Sequence, residues 1–206
     1  EGMVPGVRFI RHGPVPSAPQ ADRGSGHLTI ADDYVQRAHR VAEALDNLNH
    51  TEGSADVVVG HIGWGGLLFA RDVLPDTPAL GYCEYYFHRY GGDIGFNPRE
   101  PVTIGELERA RVRNMVQRAT LEAIDAGFSP TQWQRSRYPK STQPRIALCH
   151  EGVDTDLCRP DAAARYTLPD GRVVRAGDPV VTYAARGLEP YRGFPEFMRA
   201  AARIAA

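Results

Sequence analysis

Lysine is almost missing from this chain: Lys140 is the single one in 206 residues. Any cationic contact to a phosphate or carboxylate must therefore come from arginine, whose planar fork grips oxyanions bidentately, or from backbone N–H groups. Cysteine is scarce as well. Cys83, Cys149 and Cys158 are odd in number and form no C-x-x-C pair. That argues against a disulfide framework and for a reducing compartment. No apolar run approaches the roughly 18 residues of a membrane helix, and no signal-peptide pattern is visible. The formal net charge of −1 supplies no global basic field, so nucleic acid is not an expected partner. The expected location is cytoplasmic, with a peripheral membrane contact left open. Histidines and cysteines show no clustered ligand spacing, so no metal is expected. Neither a G-x-G-x-x-G fingerprint, a P-loop nor a G-x-S-x-G elbow occurs.

What is present has the composition of a globular domain: 42% hydrophobic and 24% charged residues, enough to bury a core. Val7–Arg11 reads as a short strand, and His12–Gly26, rich in Pro, Gly and Ser, as a loop. From Asp32 the apolar residues Val35, Ala38, Val41, Ala42, Leu45 and Leu48 keep helical period, with Asp32 or Asp33 as N-cap. Ala55–His61 is a β-branched run expected to be a strand buried on both faces. Gly65–Leu74 reads as helix, Ala79–Tyr85 as a second buried strand, and the glycine-rich stretch from Phe87 to Pro101 as loop. Thr103 and Glu106 form a capping-box pattern that opens a long helix. Its apolar side is expected to be Ile104, Leu107, Val112, Met115, Val116, Ala119 and Ala123. A short strand and short helix follow over residues 126–139, then a strand at Arg145–Glu151. A hairpin turning at Pro169-Asp170-Gly171, a strand at Pro179–Arg186 and a final helix complete the pattern. Strands alternating with helices imply βαβ units and a Rossmann-like, doubly wound parallel sheet. In such sheets ligands bind beyond the carboxyl ends of the strands.

Several groups of residues sit at those ends. His61 closes a strand and precedes Gly63, Gly65 and Gly66. Glycines let a ligand approach the backbone, and the histidine can donate to a hydroxyl or phosphate; a packing turn capped by a histidine fits equally. The stretch GYCEYYFHRYGGDIGF joins Glu84, Tyr85 and other aromatics to Arg89 and Asp93. Rings beside carboxylates suit carbohydrate, and an ordinary aromatic core edge with solvated charges is the alternative. In SPTQWQRSRYP, Ser129 or Thr131 caps a short helix with a packed Trp133. In ARGLEPYRGF, Arg186 and Arg192 flank a turn leading into the last helix. They read either as a diphosphate grip or as two solvated arginines.

One further stretch, HEGVDTDLCRP from His150 to Pro160, resembles the Gly-Val-Asp-x-x-x-Phe-x-Pro pattern of family 4 glycosyltransferases, enzymes of GT-B fold. Gly152, Val153, Asp154 and Pro160 match, and Cys158 stands where the family has Phe. Asp154 and Asp156 are expected to shape the turn. The stretches from Val57 to Pro98, SPTQWQRSRYP and LEPYRGFPEFMRA are similar to one subgroup of the same family, so the resemblance spans most of the chain from Asp56 onward.

The resemblance implies a GT-B N-terminal, acceptor-side domain over residues 1–152. Residues 153–206 would hold the interdomain joint, a small hairpin and the first β-α unit of a second Rossmann-like, donor-side domain. It implies transfer of a sugar from a nucleotide-diphosphate sugar, the donor substrate, to the hydroxyl of a carbohydrate acceptor with retention, without cofactor or divalent metal. By the same resemblance His61 lies near the transferred sugar as the catalytic residue. Arg186 and Arg192 would contact the donor diphosphate, their spacing one residue longer than the common pattern, with Gly65 and Gly66 beside them. Glu84 and Tyr85 fall on the acceptor side. The family's first βα unit with its glycine-rich loop, and its paired donor-binding glutamates, are not found here. The chain therefore reads as a fragment that is not a competent transferase alone, with apolar surface that favours self-association. Two rivals remain: a GT-B nucleotide-sugar epimerase, and a non-enzymatic carbohydrate-binding or assembly module.

Overall fold

A computed structural model describes residues 5–10 and 26–204. Two compact units divide between His150 and Glu151. The first is an α/β unit. Helix α1 (Gly26–Glu52) leads to strand β1 (Val58–His61), followed by a 3-10 turn and the short α2 (Ala70–Val73). Strand β2 (Ala79–Tyr82), helix α3 (Ile104–Ala123), strand β3 (Ala126–Ser129), helix α4 (Gln132–Arg137) and strand β4 (Ile146–Leu148) complete it. The four strands are parallel and lie side by side in chain order. This is a Rossmann-like parallel sheet with flanking helices.

Glycine sets how closely the layers approach. A Cβ on Gly81, in the middle of β2, would lie 2.4 Å from Ile124 Cδ1 and 2.6 Å from Ile62 Cγ2. Ile62 follows β1 and Ile124 ends α3, so the bare backbone of β2 accepts two flanking side chains at once. Around this contact the core gathers Ile62, Leu67, Cys83, Tyr86, Leu121 and Ile146.

Polar clamps fix the amino edge of the sheet. The Asp125 carboxylate accepts from Ala79 N–H at 2.8 Å and pairs with Arg71 at 2.7 Å. Arg71 also donates to the carbonyls of Pro75 and Ala123. Arg145 donates to the carbonyls of Leu121 and Ile124, satisfying C-terminal groups of α3 that have no helical partner. At the other end of α3 the expected capping box is complete: Thr103 Oγ1 accepts from Glu106 N–H, and the Glu106 carboxylate accepts from Thr103 N–H.

Several sequence expectations need correction. Helix α1 begins at Gly26, so Asp32 and Asp33 lie inside it, not at its N-cap. Ile30 and Tyr34 carry the half-buried stripe of Ala38 back by two turns, and the helix follows them. The loop expected at His12–Gly26 otherwise falls outside the described residues, as does Arg11; Val7–Ile10 lie in no strand. Strand β1 is an edge strand among the described residues, and Val59 is 57% exposed, so it is not buried on both faces. The helix expected over Gly65–Leu74 contracts to α2, because Gly65 in the left-handed conformation (φ 80°) ends the preceding 3-10 turn. On α3 the buried stripe is Ala110, Gln117, Thr120 and Leu121 with Val116, whereas Ile104 is 74% and Met115 55% exposed. Hydrogen bonding serves part of this polar surface: Thr120 Oγ1 donates to Val116 O, and the half-buried Asn114 pairs with both backbone groups of Phe87, whereas Gln117 Nε2 is buried without a partner among the described residues. Trp133 is half exposed under Arg137, not packed in the core.

The second unit contains the expected hairpin. Strands β5 (Arg165–Thr167) and β6 (Val173–Arg175) pair antiparallel, and Gly171 (φ 86°) makes the turn. Residues 179–186 form no strand, having no ladder partner among the described residues. Helix α5 (Phe194–Ile204) follows, and Tyr183 packs its ring on Phe194 and Phe197. No helix among the described residues is long and apolar enough to cross a membrane.

Two stability measurements check this account. Gly81→Ala forces Ile62 or Ile124 aside and should destabilise the first unit by about 1–3 kcal/mol in urea unfolding; a neutral variant would contradict the close approach. Asp125, held by Ala79 N–H and Arg71, keeps its carboxyl below its ordinary value of 3.8. A carboxyl depressed by folding stabilises above the unfolded value and loses that contribution as pH falls through the folded one. Wild type should therefore exceed Asp125→Asn in stability near neutrality, and the gap should close as pH drops below 3.8. A gap independent of pH would remove the charge from the argument.

Candidate active site at the carboxyl edge of the sheet

Parallel register brings the strand ends to one edge. His61 stands opposite Tyr82, and Tyr82 opposite Phe128. Their rings form a continuous row: His61 meets Tyr82 edge-on at 5.2 Å, and Tyr82 stacks on Phe128 at 5.2 Å. On its other side His61 tilts against Trp64 at 5.8 Å.

Both imidazole nitrogens are engaged. Gly63 N–H donates to Nδ1 at 2.9 Å, and Nε2 lies 2.8 Å from the Glu84 carboxylate. A backbone N–H can only donate, so Nδ1 is the bare acceptor and Nε2 carries the proton that Glu84 receives. The histidine is thus a cap of the 3-10 turn and also a donor aimed at the edge. The capping reading of His61 is realised on Nδ1, while Nε2 meets the Glu84 carboxylate. A Cβ on Gly63 would come within 2.7 Å of His61 Cε1, so glycine there lets the ring fold back. Glu84 lies just past β2 and its side chain is about half exposed. A ligand hydroxyl can accept from Nε2–H and donate to that carboxylate, which is how a sugar hydroxyl is held by a donor–acceptor pair.

Tyr85 is turned elsewhere. Its hydroxyl donates to Asp93 Oδ1 at 2.9 Å and accepts from Asp93 N–H at 3.1 Å, tying β2 to the loop after it. Burial raises its pKa, so it stays a neutral phenol. Gly65 and Gly66 face α1: a Cβ on Gly65 would be 3.0 Å from Tyr34 O, and one on Gly66 3.7 Å from Val41. Cys83, next to Glu84, is no nucleophile, since burial pushes its thiol up to about 12. Ser129 is fully buried and donates to Cys83 O at 2.8 Å, while Thr131 is the cap of α4. Among the described residues no three His, Cys, Asp or Glu side chains gather as a metal site.

In the second unit Arg192 is ion-paired with Glu189 and lies over the Tyr191 ring. Arg186 is exposed six residues earlier. Asp154 Oδ1 accepts from the N–H groups of Asp156 and Leu157 at 3.0 Å. It is a turn-former, whereas Asp156 contributes only its backbone N–H to that turn.

The family model for the glycosyl transferase family 4 group matches residues 1–158. The chain belongs to that family. The match covers the whole parallel-sheet unit with its His61–Glu84 pair and runs to the turn that Asp154 forms. No curated protein matches the chain. The ring row of His61, Tyr82 and Phe128 escaped the sequence reading. His61 and Tyr82 close their strands and Phe128 stands one residue before the end of β3; aromatic rings recurring near strand ends were the available signal.

Proposed function

We propose that this chain serves a glycosyltransferase that moves a sugar from a nucleotide-diphosphate sugar to an acceptor hydroxyl with retention at the anomeric carbon. Family membership supports glycosyl transfer, and one observation carries the assignment of residues: His61 Nε2–H directed at Glu84 on the carboxyl edge. The chemical demand is stabilisation of charge on the departing diphosphate, together with orientation of the hydroxyls beside the reacting carbon. His61, fixed by Gly63 N–H, holds its donor in place without reorganisation, and Glu84 accepts from the hydroxyl that His61 addresses. Tyr85 supports the acceptor side through the loop that Asp93 anchors. The backbone at Gly65 and Gly66 belongs to the donor side. In the second unit Arg186 and Arg192 are the cations for the diphosphate, and Arg192 exchanges Glu189 for it.

The test is turnover by the protein with a panel of nucleotide-diphosphate sugars and acceptor saccharides. Product anomeric configuration is read by NMR. His61→Ala should lower kcat/KM by about 100-fold. Glu84→Gln should lose less, because its amide oxygen still accepts from Nε2–H. Unchanged kcat/KM in His61→Ala would take the histidine out of the site, and inverted product would refute retention.

A further inference from the structure

Beside the His61–Glu84 pair, Trp64 closes one side of a cleft of about 410 Å³, its open mouth included. Ile30, Asp33, Tyr34 and Arg37 of α1 and Arg113 of α3 line the rest. Two arginines meet here, and each guanidinium rests on an aromatic face: Arg37 5.4 Å from the Trp64 ring centroid, Arg113 4.9 Å from that of Phe87. Neither is ion-paired with a carboxylate among the described residues. Asp33 lines the cleft without bridging to either. Arg113 also lies beside the Tyr34 hydroxyl. Burial raises the Tyr34 pKa, against the pull of both arginines, so the phenol keeps its proton and remains a donor. Trp64 itself is 54% exposed, an open apolar face 5.8 Å from the His61 ring.

Half-buried arginines laid on rings and left without a carboxylate are preorganised for an oxyanion, which a planar guanidinium grips bidentately. A flat exposed indole next to them suits the C–H face of a pyranose. We infer that this cleft is an acceptor subsite for an anionic saccharide, a sugar bearing a carboxylate or a phosphate. The anion lies between Arg37 and Arg113 and the ring against Trp64. The inference rests on the transferase reading for the word acceptor, and on the cleft alone for the anion. Its consequence is specificity: Asp33 offsets one of the two positive charges, and the remaining charge discriminates against a neutral sugar of the same shape.

Trp64 reports on its own site. The chain has two tryptophans, so a Trp133→Phe background leaves Trp64 as the one fluorophore. Glucuronic acid, glucose 1-phosphate and glucose are titrated to roughly 50 mM without nucleotide. Saturable quenching by one or both anions, with glucose at least about 10-fold weaker, is the expected result, and the better anion identifies the group as carboxylate or phosphate. Arg37→Gln and Arg113→Gln should each weaken the anion by about 10-fold or more with unchanged circular dichroism. Arg37, which is not hydrogen-bonded to Tyr34, carries the comparison if Arg113→Gln unfolds. Equal binding of glucose and the anions, no quenching by either anion, or unchanged affinity in Arg37→Gln would overturn the subsite. Anion binding in a protein that never transfers sugar would sink the transferase reading and leave the cleft assignment standing.

Discussion

The close approach of three elements at Gly81 is the constraint on which the carboxyl edge depends. Ile62 from the turn after β1 and Ile124 from the end of α3 both press on a strand residue without a side chain. That contact draws β1, β2 and α3 into one layer spacing. It also fixes the backbone of Ile62, immediately after His61, and so the direction in which the histidine leaves the sheet. The parallel register then sets Tyr82 beside His61 and lets Glu84, two residues past β2, reach the imidazole.

A division of labour between the two edges follows. At the amino edge, charged groups are spent on structure: Arg71, Asp125 and Arg145 bind backbone groups and one another. At the carboxyl edge, polar groups are held but remain accessible. Nδ1 of His61 is used internally, whereas Nε2 and the half-exposed Glu84 face the open side. The imidazole is fixed from behind by Gly63 N–H, and its Nε2–H is held against the half-exposed Glu84 carboxylate, an arrangement that needs little reorganisation when a hydroxyl enters between them. The helices bring further cations to the same side of the unit through Arg37 and Arg113, and both are seated on rings instead of on carboxylates.

Much of this was legible in the sequence because it depends on local rules. Thr103 and Glu106 announced their capping box, Pro169-Asp170-Gly171 its hairpin, and the alternation of strand and helix patterns a parallel sheet. His61 and Glu84 could each be chosen from position at a strand end, but their 2.8 Å contact depends on register, which pattern alone does not supply. The failures have the same origin. Apolar residues on α3 marked its buried face only in part: Val116 is buried as expected, but Ile104 and Met115 are exposed while Thr120 and the half-buried Asn114 satisfy their polar atoms by hydrogen bonds. Helix α1 began earlier than its aspartates suggested because packing of Ile30 and Tyr34 outweighed a cap. The approach of Gly65 and Gly66 to Tyr34 and Val41 likewise depends on tertiary packing and could not be read from their place after His61. Residues 179–186 have strand composition without a partner, and composition alone does not make a strand.

The central claim is that His61 presents a fixed Nε2–H to a sugar hydroxyl shared with Glu84. Long-range proton–nitrogen NMR of the labelled imidazoles reads this directly. The account predicts a neutral His61 with its proton on Nε2 in the free protein, and a shift of the Nε2 resonance when nucleotide-diphosphate sugar and acceptor are added. A proton on Nδ1 in the free protein, or an Nε2 resonance unmoved by substrates that are turned over, would contradict it.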